Sequence, residues 1–376
     1  MQILVVNSGS ATQKIALIKI EAEGNLAKTL FENTRSLEDG SSRQKIVAEQ
    51  LKSISDNLDD SSFDAIGHRV VHGGSKYQIP ALINSSVVDD IETLSRLAPI
   101  HNPPALESID FCRKKFSHLP QFAVFDTAFH TTIPEFNYRY AIPKEWFQEH
   151  DIRRYGFHGI SHQSCYLMAK ELVSAPVQKM VSCHLGGGSS VTAILDGKSF
   201  DTTMGFTPLE GMVMSTRSGS IDPAIITYLQ KEAGHSVSEI ESSLNYKSGV
   251  LGVSESTSDM KELLASMDNG DEKAKLAFEL YIASLKKAIA SMAASMGGLE
   301  LLAFTGGIGE NSARVRERIA SGLNFLAIEL DDVKNENLKS NCLISSNKSK
   351  TQVAVVKCDE SGQTEKSCFA QIQLTK

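Results

Sequence analysis

The chain has 376 residues, 41% hydrophobic and 22% charged, with a formal net charge of −7. This is globular composition, long enough for two domains with separate cores, and an acidic balance with no block of Lys or Arg excludes a nucleic-acid partner, which needs a basic face. The six cysteines, at 112, 165, 183, 342, 358 and 368, include no C-x-x-C pair, which argues against a disulfide frame or zinc site and for reduced thiols in the cytoplasm.

The first residues hold no basic leader before an apolar block, so no secretory signal is expected. Instead they read as a hairpin: apolar Ile3-Leu4-Val5-Val6, a polar turn Asn7-Ser8-Gly9-Ser10-Ala11-Thr12, and apolar Ile15-Ala16-Leu17-Ile18. Ile46, Val47, Leu51, Ile54 and Leu58 predict a helix over 41–59, followed by a Ser/Asp-rich turn at 59–62. A strand over 65–71 then ends in His72-Gly73-Gly74. Arg69 lies inside it, and a cation in an apolar strand is costly unless it faces a ligand or an acid. Helices are expected over 89–98 and 103–116, the second with Asn102 as N-cap and Pro103 at the first helical position. The apolar run 121–125 is a buried strand delivering Asp126 at its C-terminal end, where open α/β sheets place ligand groups.

Beyond residue 130 the chain turns aromatic and polar, which marks a domain boundary. Tyr155-Gly156-Phe157-His158-Gly159 precedes a helix over 160–173. A second hairpin repeats the order of the first: an apolar run 180–183, then His184-Leu185-Gly186-Gly187-Gly188-Ser189-Ser190, then apolar 191–194. Consecutive glycines clear side chains from such a turn, so its amides suit a phosphate. Two strand, Gly/Ser turn, strand units, one opening each half, point to a duplicated fold. A long loop over 205–222 carries Glu210, Arg217 and Asp222, and loops of that length are usually functional. Helices are expected over 223–233, 237–244, 258–265 and 271–296. A buried strand over 299–304 then enters a third glycine turn, Thr305-Gly306-Gly307-Ile308-Gly309-Glu310-Asn311, and a helix over 312–321. The apolar stretch 288–304 is broken by Gly297-Gly298 and Glu300, so no membrane span is expected. A last strand over 353–356 leads to Lys357-Cys358-Asp359-Glu360.

No familiar nucleotide fingerprint fits. Gly197-Lys198-Ser199 lacks the earlier glycine of a P-loop, and Gly307-Ile308-Gly309 lacks the third glycine of the dinucleotide motif. His158 and His162 are four apart, without a third ligand nearby for a metal. What remains is a set of phosphate-friendly turns, two arginines in unusual settings, carboxylates at strand ends and histidines beside glycine. Phosphoryl transfer asks for that set: positioning, charge neutralisation and an in-line acceptor.

The runs 6–10, 67–74, 97–104, 125–130, 155–159, 204–211, 216–223 and 304–311, in this order, closely resemble the acetate kinase family. The resemblance implies an α/β fold of duplicated ribonuclease H-like, actin-like domains with ATP in the cleft between them. It places an N-terminal domain at 1–130, joined by a C-terminal helix over 362–376, and a nucleotide-binding domain at 131–361. It implies a cytoplasmic homodimer that reversibly transfers the γ-phosphoryl group of MgATP to acetate, giving acetyl phosphate and ADP by direct in-line transfer. In this sequence Arg69 and Arg217 would bind the acetate carboxylate and the migrating phosphoryl group, and His158 would donate to that group in the transition state. Asp126 would support the acceptor side and orient an arginine. Asn7 and Glu360 would hold Mg²⁺, or Mn²⁺ in its place. Val71, Ile100, Phe157 and Pro208 would form the pocket for the methyl group, and His101 and His184 would line the active site. Lys14, His184, Gly186, Gly187, Gly188, Asp259, Met260, Lys261, Gly307, Ile308 and Asn311 would meet the nucleotide. Propionate or butyrate is the alternative acceptor, and a slow nucleotide-binding module the alternative class. The family usually has Asn where this chain has Gly187, and Asp-Phe-Arg where it has Asp259-Met260-Lys261.

Overall fold

The computed structural model describes residues 1–9, 12–20, 27–37, 42–57, 62–357 and 359–375. Ser10 and Ala11 of the first turn, Leu58 of the first helix, 59–61 of the turn after it and Cys358 lie outside the described residues. The chain divides into two compact units, one made of Met1–Thr131, Phe157–Gln163 and Asp359–Lys376, the other of Thr132–Gly156 and Ser164–Cys358.

The first unit is built on strands β1 (Gln2–Ser8), β2 (Thr12–Ile20), β3 (Ala27–Ser36), β4 (Ala65–Val70), β5 (Ala81–Leu82) and β6 (Gln121–Phe125). They form one six-stranded sheet in the order β3-β2-β1-β4-β6-β5. Pairing is antiparallel from β1 through β2 to β3, parallel from β1 through β4 to β6, and antiparallel at β5. Successive side chains on a strand face opposite ways, so β1 feeds two cores. Ile3 and Val5 join Ala16, Ile18, Phe122, Val124, Cys368 and Ile372 on one face. Leu4 and Val6 join Ile15, Leu17, Val47, Leu51 and Ile54 on the other, beneath the helix Arg43–Asn57. The helix Glu360–Thr375 covers the first face, two residues earlier than expected. It packs closely because Gly67 has no side chain: a Cβ there would lie 2.8 Å from Cys368 Sγ.

The second unit repeats the plan. Its strands are β7 (Lys179–Leu185), β8 (Ser189–Leu195), β9 (Lys198–Thr202), β10 (Leu301–Thr305), β11 (Cys342–Leu343) and β12 (Gln352–Val355). The order β11-β12-β10-β7-β8-β9, read from the other end, matches the first sheet strand for strand, with the same parallel and antiparallel pairings. The duplication expected from the two hairpins is therefore a duplication of whole sheets. The long helix Glu272–Ser295 starts at Asp271, whose carboxylate accepts from the Lys273 and Ala274 amides. It buries Phe278, Tyr281, Leu285, Ile289 and Met292 against Val181, Cys183, Leu302, Phe304 and Val353.

Several local expectations need correction. The helix placed at 89–98 runs over Ser85–Leu94, because Asn84 caps it through the Val87 amide. Asn102 is not the cap of the helix Asn102–Lys115; His101 holds that position, and the fully buried Asn102 side chain bonds the backbone of His72 instead. The glycine turn at 305–311 is a short helix, Gly306–Asn311. Segment 157–163, expected with the second half, belongs to the first unit. There the Gly159 amide donates to Asp126 O at 2.9 Å and Ile160 packs in the β1–β6 core. Among the described residues no helix is long and apolar enough to cross a membrane.

Candidate active site

In the first unit the anticipated residues gather at the C-terminal ends of the parallel strands. The register sets Asn7 of β1 beside Arg69 of β4, and Asp126 follows β6, its amide donating to Val70 O. The Arg69 guanidinium forks onto the Asp126 carboxylate, Nε to Oδ1 at 3.1 Å and Nη2 to Oδ2 at 2.6 Å, while Nη1 donates to Asn7 Oδ1 at 3.0 Å. Asn7 Nδ2 donates to Glu360 Oε2 at 3.2 Å, which itself lies 3.8 Å from Arg69 Nη1. The strand cation of the sequence reading, half-buried, thus faces an acid and is oriented by it, as planar bidentate pairing requires. Asp126 is fully buried. Burial raises its carboxyl pKa above the ordinary value, the Arg69 guanidinium pulls it back, and the Glu360 carboxylate adds to the rise.

Asn7 stands between the two charges, its Nδ2 on the Glu360 carboxylate and its Oδ1 on the Arg69 guanidinium. Among the described residues no group of three or more His, Cys, Asp or Glu is arranged for a metal. An Asn amide and a Glu carboxylate are hard oxygen donors of the kind Mg²⁺ takes, so these two residues would hold it. Lys14, opposite Asn7 in the β1–β2 pair, is ion-paired to Glu32 at 3.0 Å.

His158 sits next to this group by virtue of its neighbours. Its φ is +57°, a left-handed conformation uncommon outside glycine. The carbonyl before it, Phe157 O, is 2.9 Å from His130 Nε2, its own carbonyl accepts from the His162 amide, and the next residue, Gly159, bonds Asp126 O. Position 159 must be glycine, since a Cβ would fall 2.1 Å from Asp126 O. Phe157 is buried, with its ring 5.4 Å from that of His72. Val71 is buried, and Ile100 and His101 are half-buried just ahead of the helix Asn102–Lys115.

In the second unit the β7–β8 turn carries Gly186, Gly187 and Gly188, with the half-buried His184 at the end of β7. The turn is held by its own backbone and by Ser189 Oγ, and Ser215 N donates to Gly187 O at 3.3 Å. The helix Gly306–Asn311 starts against it: Gly306 has φ +80°, and a Cβ there would lie 2.7 Å from Leu185 O. This brings two glycine-rich elements together with exposed Gly187, Gly307 and Asn311 on them. Ile308 is partly buried against the core. Asp259 caps the helix Met260–Asp268 through the Lys261 and Glu262 amides; Asp259 and Lys261 are exposed, whereas Met260 is a core residue.

The loop over 205–222 has no regular structure but is tightly anchored. Arg217 Nη1 donates to Pro208 O at 3.1 Å, and the backbone around it bonds Leu244, Thr216 to Ser248, and Met214 to Val250. Burial lowers the Arg217 pKa, which Tyr246 partly offsets. The sequence reading gave Glu210 no role, yet it ties the loop down: its carboxylate accepts from Tyr140 OH and from Arg154 Nη2, while Arg154 Nη1 donates to the carbonyls of Thr202, Thr203 and Met204. Its only sequence signal is one acid in a Gly/Pro-rich run.

The chain is similar to known proteins over nearly its whole length. The Acetokinase family model matches residues 2–364. Acetate kinase of Thermoanaerobacterium thermosaccharolyticum is 43% identical, covering 96% of each chain. A propionate kinase from Francisella tularensis superimposes with TM-score 0.88 at 39% identity, covering 97% of this chain and 98% of that one. Acetate kinase of Porphyromonas gingivalis gives 0.86 at 34% identity, covering 98% and 99%.

Proposed function

Because the chain belongs to the acetokinase family, we propose that it transfers the γ-phosphoryl group of ATP to acetate, reversibly and directly. The observation that carries this is the Arg69 fork on buried Asp126, with Asn7 and Glu360 alongside. Asp126 fixes the guanidinium plane, and the remaining N–H groups and positive charge of Arg69 meet the acceptor carboxylate and the migrating PO₃ unit. Arg217 supplies a second cation to the same group, its weakened hydration strengthening that attraction. His158 donates to an equatorial oxygen from its left-handed perch. Asn7 and Glu360 would hold Mg²⁺, which would supply charge neutralisation to the transferring phosphate, and Mn²⁺ would offer the same chemistry. The turn at 186–188, His184, Lys261 and the helix Gly306–Asn311 hold the nucleotide, with Lys14 a further candidate contact. Val71, Ile100, Phe157 and Pro208 enclose the methyl group, and His101 lines the active site.

Propionate is the second acceptor, favoured by the likeness to the Francisella propionate kinase. One methylene changes discrimination only by about 10- to 200-fold, so propionate should react more slowly, not be refused. The test is acyl phosphate trapped as hydroxamate, with kcat/KM for acetate, propionate and butyrate. Acetate leading supports the reading; no acyl phosphate from any acid overturns it. A cytoplasmic homodimer completes the proposal, supported by exposed Ile225, Tyr228, Val237 and Tyr246 on the helices Ala224–Lys231 and Val237–Tyr246.

A further inference from the structure

Asn102 is fully buried in the first turn of a helix whose cap position is held by His101. Here the amide turns inward. Its Oδ1 accepts from the His72 amide at 3.0 Å and its Nδ2 donates to His72 O at 3.2 Å. One side chain therefore satisfies both backbone groups of one residue, just after β4 has ended and the ladder can no longer do so. A buried peptide group left without partners costs free energy, so this clamp decides where the strand exit runs. His72 is itself fully buried; its Nδ1 accepts from the Gly74 amide at 3.0 Å, and its ring packs edge-on to Phe157.

The residues joined by this clamp adjoin three apolar positions. Val71 precedes His72, Ile100 stands two residues before Asn102, and Phe157 touches the His72 ring. We infer that Asn102 is a positioning residue that sets the width of the acyl pocket, and with it the preference for the shorter acid. The inference rests on the reading above that Val71, Ile100 and Phe157 surround the methyl group. Asn102 touches no reacting atom; it acts by fixing the spacing between the β4 exit and the turn ahead of the helix.

The experiment compares wild type, Asn102→Ala and Asn102→Asp, each with acetate and propionate at saturating MgATP. The readout is the ratio of the two kcat/KM values, which does not depend on the fraction of folded enzyme. KM for ATP is the control. We expect the acetate preference to fall by about tenfold in Asn102→Ala, the lower end of what one methylene is worth, with KM for ATP unchanged. Asn102→Asp keeps an acceptor for the His72 amide but loses the donor to its carbonyl, and should fall in between. A ratio in both variants equal to that of active wild type overturns the inference and leaves the acetate kinase reading intact. Wild type that makes no acyl phosphate overturns that reading first.

Discussion

Restoring the missing side chain at Gly187 is the sharpest perturbation of the nucleotide half. Gly187 is absent from the residues with positive φ, a Cβ built on it meets nothing within 4 Å, and the turn is held by Gly186, Ser189 and Ser215. Gly187→Asn therefore fits without strain and should not disturb the fold. A hydrogen bond from the new amide to a phosphate oxygen is worth about 1.5–3 kcal/mol, which corresponds to roughly 10- to 150-fold in kcat/KM for ATP. KM for acetate should stay put. Gly187→Ala is the control, since it stiffens the unfolded chain equally, worth about 0.4–1 kcal/mol of stability, but offers no donor. The assay is initial-rate kinetics with ATP varied at saturating acetate. Asn and Ala variants both indistinguishable from wild type would refute the claim that this turn cradles the phosphates.

Three further outcomes follow from the geometry. Gly159→Ala drives a methyl group onto Asp126 O and displaces His158, so kcat should drop about 100-fold, as for a 1 Å misplacement; a kcat near wild type contradicts the placement. Arg69→Ala strands the buried Asp126 carboxylate, costing roughly 3–5 kcal/mol in denaturant unfolding, and Arg69→Ala/Asp126→Ala should recover part of it; no recovery refutes the coupling. His68 and His130 are pushed by burial down to about 4. Between that value and 6.5 the unfolded chain takes up protons the folded chain does not, so their contribution is intact above pH 6.5 and lost as pH falls toward 4. The slope is about 1.4 kcal/mol per pH unit for each histidine, and Asp126, raised by burial, works in the opposite sense. His68→Gln should lower the slope of stability against pH by one histidine's share; an unchanged slope would show that its burial does not matter.

The legible parts of the fold were those with strong apolar patterning. The β7–β8 hairpin, β6 and the long helix Glu272–Ser295 stand within a residue or two of their expected bounds. β3 and β9 went unread because Ala27–Ser36 and Lys198–Thr202 are dominated by polar residues and owe their strand form to β2 and β8. Gly306 looked like a turn residue, yet its positive φ serves to start a helix hard against Leu185. In the site, Arg69 was readable because a cation in an apolar strand needs an acid, and Asp126 is that acid. Glu210 and Asn102 were not, since each acts on backbone and side chains far away in sequence. Residues 157–163 were assigned by adjacency, whereas their contacts with Asp126 and the β1–β6 core decide where they belong.

The most direct measurement is the single-turnover rate of acetyl phosphate formation by Arg217→Ala, with MgATP and acetate both saturating. An arginine that neutralises a migrating phosphoryl group is worth about 10³–10⁵ in rate. The account predicts a loss of at least 10³ with the fold intact. A rate within tenfold of wild type would contradict it.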